Sequence, residues 1–150
     1  LDRYVPPILL YGESIMDYEL LKKKIKQHEG LKLTPYRDSV GKLTIGYGLN
    51  LDEGITVNEA EYLLKQRMDY AIEDAQSIFK NFTDLSDSRQ VVLVDMAYNL
   101  GRCRLMQFVK MREAIHQRLF NLAAQEMLNS RWAKQVGYRA VDLADLMKRG

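Results

Sequence analysis

The sequence predicts an α+β protein, predominantly helical, in which a small β-hairpin lobe is joined by a long helix to a helical-bundle lobe. Three observations predict it. Between residues 30 and 56 the apolar period switches from helical to alternating. A capped apolar stripe then keeps the helical repeat for about five turns. Behind it, "VVLVDMAYNLG" is apolar almost all round, the mark of a helix buried at the centre of a bundle.

The elements follow in chain order. Residues 1–13 hold Pro6, Pro7 and Gly12 and show no helical period, so they read as an arm or linker ahead of a folded domain at 14–150. A first helix starts at Ser14 or Asp17, with Leu21, Ile25 and His28 on one stripe and Lys22, Lys23, Lys24 and Lys26 mostly off it. Gly30 ends it. "KLTPYR" and "KLTIGY" flank "DSVG", whose Asp in first position and Gly in fourth suit a type I turn. In the second run Leu43 and Ile45 face one way and Lys42 and Thr44 the other. A short third strand completes a β-lobe at about 30–56.

Thr56 and Glu59 form a capping box at the head of a connecting helix over about 57–80. Its stripe is Ala60, Leu63, Leu64, Met68, Ala71, Ile72, Ala75, Ile78 and Phe79, with the stem of Arg67. The helical lobe occupies about 84–149. Residues 86–88 start its central helix and Gly101 ends it; helices follow near 105–116 and 119–128, then a turn through Trp132 and a helix near 138–147.

Composition sets limits on function. In 150 residues, 47% are apolar and 28% charged, as in an ordinary globular domain. A net charge of +2, with no dense basic stripe and no helix-turn-helix signature, gives no footing for a nucleic-acid partner. No apolar run reaches the length of a membrane span, so stable membrane insertion is not expected. Cys103 is the single cysteine; it forms no internal disulfide and reads as a small buried hydrophobe. His28 and His116 lack metal-ligand companions and read as structural or exposed. The chain begins at Leu1 rather than Met, which suits a processed or excised module.

The chemistry is concentrated in "QHEGLKLTPYRDSVGKLTIGYG". Glu29 closes the first helix, where backbone carbonyls leave partial negative charge. A carboxylate there is disfavoured by about 0.3–1 kcal/mol, which suits a proton donor. Read blandly, Glu29 is a surface residue at a frayed end, Asp38 an ordinary turn residue and Thr44 an ordinary strand residue. Taken together they put two carboxyls and a hydroxyl where a helix end meets a hairpin. One protonated and one ionised carboxyl across a groove is what glycoside hydrolysis requires.

The order Glu29, eight residues, Asp38, five residues, Thr44 resembles the catalytic signature of the phage-type lysozymes, the endolysin muramidases. "EGLKL", "PYRD" and "LTIGYG" surround it. "GITVNEAEYLLKQRM" looks like the entry to that family's interlobe helix. "MAYNLG" is similar to its cleft-lining segment. "LAAQEMLNSRW" with Arg139 seven residues on is similar to its Ser-Arg-Trp and following Arg.

The resemblance covers about residues 17–147 and implies a phage lysozyme-like fold. It further implies cleavage of the β-1,4 bond between N-acetylmuramic acid and N-acetylglucosamine in bacterial peptidoglycan by a monomer that needs no metal or organic cofactor. Glu29 would be the general acid. Asp38, ionised, would position the attacking water with Thr44, with inversion at the sugar. Arg139 would reach Glu29 from the helical lobe, and Asn50, Tyr98, Asn99 and Arg139 would contact substrate.

Leu49 replaces a His that many relatives carry after Gly-x-Gly, and Met111 and Glu126 stand where polar cleft residues are usual. Two settings fit: a free endolysin in host cytoplasm that reaches the periplasm and wall with a holin's help, or a module of a virion tail or injected protein. A catalytically silent wall-binding module of the same fold is the alternative, and the intact trio argues against it.

Overall fold

A computed structural model describes residues 17–150; the arm at 1–13 and the alternative helix start at Ser14 lie outside them. The chain divides into two compact units at the Thr56–Val57 junction.

In the first unit, helix α1 spans Tyr18–Glu29. Asp17 is its N-cap, accepting from the Leu20 amide at 2.9 Å, and the Gly30 amide closes its end on the Lys26 carbonyl at 3.1 Å. Strands β1 (Lys32–Arg37), β2 (Leu43–Gly46) and β3 (Leu49–Asn50) form an antiparallel sheet in that order. Pro35, which has no amide to give a ladder, sits on the edge strand, and the β1–β2 register shifts between Lys32 and Tyr36. The "DSVG" turn forms as its residues predict, with the Gly41 amide donating to the Asp38 carbonyl at 3.0 Å. A 3-10 turn at Leu51–Glu53 follows β3.

Burial in this unit departs from the alternating pattern. Leu43 and Ile45 are only half-buried, and Thr44, 4% exposed, is the one buried residue among those described up to Thr56. Its hydroxyl donates to the Lys42 carbonyl at 3.1 Å, which offsets the cost of taking it out of water. The α1 stripe is also uncovered: Leu21 and Ile25 are exposed.

The second unit is helical: α2 (Val57–Ile78), α3 (Asp87–Leu100), α4 (Arg102–Met106), α5 (Val109–His116), α6 (Phe120–Leu128), α7 (Arg131–Val136) and α8 (Tyr138–Arg149). Its core takes Ala71, Ala75 and Ile78 from α2, Val92, Leu93 and Met96 from α3, and Met111, Met127, Leu143 and Met147 from later helices. Ser86 caps α3 through the Arg89 amide.

Four expectations are corrected here. The first half of the α2 stripe is exposed at Leu63, Leu64 and Met68, and burial begins at Ala71. Helix α3 is not buried all round, because Val91 and Tyr98 face outward. The helix expected near 105–116 is two, broken at Gln107–Phe108, where the Phe108 ring turns edge-on to Trp132 at 6.1 Å. Cys103 is exposed; the buried position of its short helix goes to Leu105.

Candidate functional site

The end of α1 rests on the β2–β3 turn. The Lys26 ammonium lies over the Tyr47 ring, 5.2 Å from its centroid. One turn further on, the Glu29 carboxylate lies over Gly48. A Cβ on Gly48 would stand 2.6 Å from Glu29 Oε2 and 3.0 Å from its Cδ, well inside van der Waals contact. Gly48 also has φ +78°, where L side chains are strained. Sequence reasoning missed Gly48 as part of the site. In sequence Gly48 shows only as a turn glycine of "GYG", since both glycines have positive φ, and nothing there marks it as the neighbour of Glu29.

Asp38 occupies the other end of β2. Its Oδ1 accepts from the Val40 amide at 2.9 Å and the Lys42 amide at 2.8 Å, while its own amide donates to the Lys42 carbonyl at 3.0 Å. The carboxylate is thus oriented by one oxygen, and Oδ2 takes no hydrogen bond from the described residues. Thr44 is central in the sheet, opposite Tyr36 of β1 and Asn50 of β3. Asp52 Oδ2 braces the start of β2 by accepting from the Leu43 amide at 3.0 Å. Along β2, Thr44 stands between the turn that carries Asp38 and the β2–β3 turn, over whose Gly48 the Glu29 carboxylate lies.

Asn50 is tied to its own loop. Its Oδ1 accepts from the Asp52 amide at 3.1 Å and its Nδ2 donates to Glu53 Oε1 at 2.8 Å, so it caps the 3-10 turn.

In the helical unit, Tyr98 and Arg139 line one cavity of about 630 Å³ with Leu64, Met68, Ile72 and Asp95. Arg139 Nε donates to Asp95 Oδ1 at 2.8 Å, a pair about one-third exposed that ties α8 to α3. Asp95 was legible only as the lone charge in "VVLVDMAYNLG". Asn99 lies apart from that cavity's lining and accepts from the Trp132 indole at 2.7 Å. Met111 (1% exposed) and the half-buried Glu126 line a separate cavity of about 790 Å³ with Phe108 and Trp132. The indole bond gives a stability prediction. Trp132→Phe keeps the ring but loses the donor, and should cost about 1 kcal/mol in urea unfolding with an unchanged m-value.

Among the described residues, no group of three His, Cys, Asp or Glu side chains could hold a metal ion. No described helix is long and apolar enough to cross a membrane.

The profile of the phage lysozyme family matches residues 26–149. Among curated proteins, the chain is similar to the probable T4-type lysozyme 2 of Dictyostelium discoideum, 23% identical over 160 residues, covering 87% of this chain and 94% of that protein. It is similar also to the probable T4-type lysozyme 1 of the same organism, 26% identical over 163 residues with the same coverage.

Proposed function

The chain belongs to the phage lysozyme family, and from that premise we propose that it is a peptidoglycan muramidase whose catalytic groups are Glu29, Asp38 and Thr44. The observation that carries the assignment is the one buried position among the described residues of the first unit. It holds a threonine, between the turn that carries Asp38 and the β2–β3 turn over whose Gly48 the Glu29 carboxylate lies. Packing alone would favour an apolar β-branched residue there.

In this reading Glu29 gives its proton to the glycosidic oxygen as the bond to the anomeric carbon breaks. Water attacks the opposite face of the sugar. The Thr44 hydroxyl proton is committed to the Lys42 carbonyl, so a water meeting Thr44 must donate to its oxygen. If its second proton goes to Asp38 Oδ2, a lone pair is left for carbon, and Asp38 takes the proton as attack proceeds. General acid and general base catalysis each contribute about 10²–10⁴-fold.

Inversion is the stereochemistry proposed. Asp38 precedes β2, and Gly48, over which the Glu29 carboxylate lies, follows it. Inversion rests on Thr44 as a water-holding partner for Asp38, and the carboxyls are expected at the roughly 6.5–9.5 Å of inverting pairs, not the roughly 5–5.5 Å of retaining ones. NMR of the first-formed product should show the α-anomer at the new reducing end. A first-formed β-anomer overturns the water-attack assignment of Asp38.

The helical unit offers carbohydrate contacts of its own. The exposed Tyr98 ring has an apolar face for a sugar, and Arg139 beside it is held by Asp95. Host-wall lysis by a phage is proposed on the family match.

A further inference from the structure

Arg118, between α5 and α6, has φ +59° and is the one non-glycine residue with positive φ among those described. That conformation disfavours a side chain, and glycine or asparagine usually takes it. Here it carries a cation. Arg118 lines a cavity of about 500 Å³ with Arg89, Asn121, Gln125 and Lys148. No acidic residue is among the cavity's lining residues, and none of the three cations is in an ion pair among the described residues.

Arg89 has a structural explanation. Its Nε donates to the Met147 carbonyl at 3.0 Å and its Nη2 to the Lys148 carbonyl at 3.2 Å, closing the end of α8, and its guanidinium lies 3.6 Å from the Phe120 ring centroid. Burial, and then the charge of Arg118, lower its pKa from the usual value. Capping α8 explains Arg89 but not the other two. Arg118 adds a second positive charge beside a guanidinium already fixed on the α8 carbonyls, and an anion in the cavity would offset that repulsion. The first turn of α6 adds amide donors, since Leu119 gives it no side-chain cap.

We propose that this cavity binds a phosphate oxyanion, with Arg118 and Lys148 supplying charge, Asn121 and Gln125 hydrogen bonds, and Arg89 a fixed cationic wall. Three cations without a carboxylate match a phosphate's charge, and guanidinium groups suit its oxygens. The ligand is either free phosphate or the phosphate of a lipid headgroup. Neither is used by the glycosidase chemistry proposed above.

The test is a ¹H–¹⁵N titration of the full chain with sodium phosphate, ionic strength held constant with chloride. Saturable shifts are expected at Arg118, Asn121, Gln125 and Lys148. Arg118→Gly combined with Lys148→Gln should weaken binding at least about tenfold, with muramidase activity unchanged. Glycine accepts the backbone conformation at 118, so this variant should fold; Arg118→Asn with Lys148→Gln is the second.

Co-sedimentation with vesicles of phosphatidylglycerol or of phosphatidylcholine separates the sources. Phosphatidylglycerol binding that the double variant weakens assigns the headgroup. Saturable phosphate binding without vesicle binding assigns the free anion. Shifts that fail to saturate, or equal affinity in the folded double variant, overturn the proposal.

Discussion

Glu29→Gln should lower turnover on purified peptidoglycan by about a thousandfold while leaving the fold intact. The substitution keeps the shape of the side chain and removes the only proton it can give. A thousandfold corresponds to about 4 kcal/mol of barrier, at 1.36 kcal/mol per tenfold, within the range for loss of a general acid. Glu29 is exposed at the end of α1 and no core packing depends on it, so thermal unfolding should match wild type. Binding to insoluble wall should persist, because the substrate-contacting surface is unchanged. An active Glu29→Gln enzyme would remove Glu29 from the chemistry.

Gly48→Ala should come second, with a loss of about a hundredfold, the usual scale for misplacing a catalytic group by about 1 Å. The new methyl group would stand 2.6 Å from Glu29 Oε2. A glutamate head group moves more easily than backbone, so the carboxylate should swing away rather than the sheet unfold. A backbone term comes with it, about 1–2 kcal/mol for a side chain at positive φ. Gly46→Ala separates the two effects: its φ is +68° and its Cβ would have nothing within 4 Å. Both variants should lose similar stability, and only Gly48→Ala should lose kcat. Equal activity losses in the two would mean that Gly48 serves the turn and not the carboxylate.

The local rules were easiest to read where they act within a few residues. Asp17 at the start of α1, Gly30 at its end, "DSVG" as a turn and Ser86 before α3 each satisfy backbone groups next to them, and each was visible in sequence. What tertiary packing decides was not visible. The break at Gln107–Phe108 has no proline or glycine to announce it; Phe108 meeting Trp132 edge-on accompanies it. Cys103 reads as apolar, but Leu105 takes the buried position. Leu63, Leu64 and Met68 obey helical periodicity and are exposed nonetheless.

The candidate site divides in the same way. Glu29, Asp38 and Thr44 stood out by order and residue type. Gly48 is defined by what its missing side chain leaves room for, which spacing does not encode. Asp95, partner of Arg139, is 44 residues away in the chain, so only folding identifies the pair. Asn50 and Asn99 were read as glycan contacts, and their amides are engaged with Asp52 and Glu53, and with Trp132. A polar residue at the end of an element serves local capping as readily as a ligand, and sequence does not separate the two.

Identifying the sugar at the new reducing ends tests the central claim most directly. Purified peptidoglycan would be digested with the wild-type chain, the ends reduced with borohydride, and the products resolved by mass spectrometry. The account predicts reduced N-acetylmuramic acid, absent without enzyme. Reduced N-acetylglucosamine, or no new ends from a folded chain that still binds the wall, would contradict it.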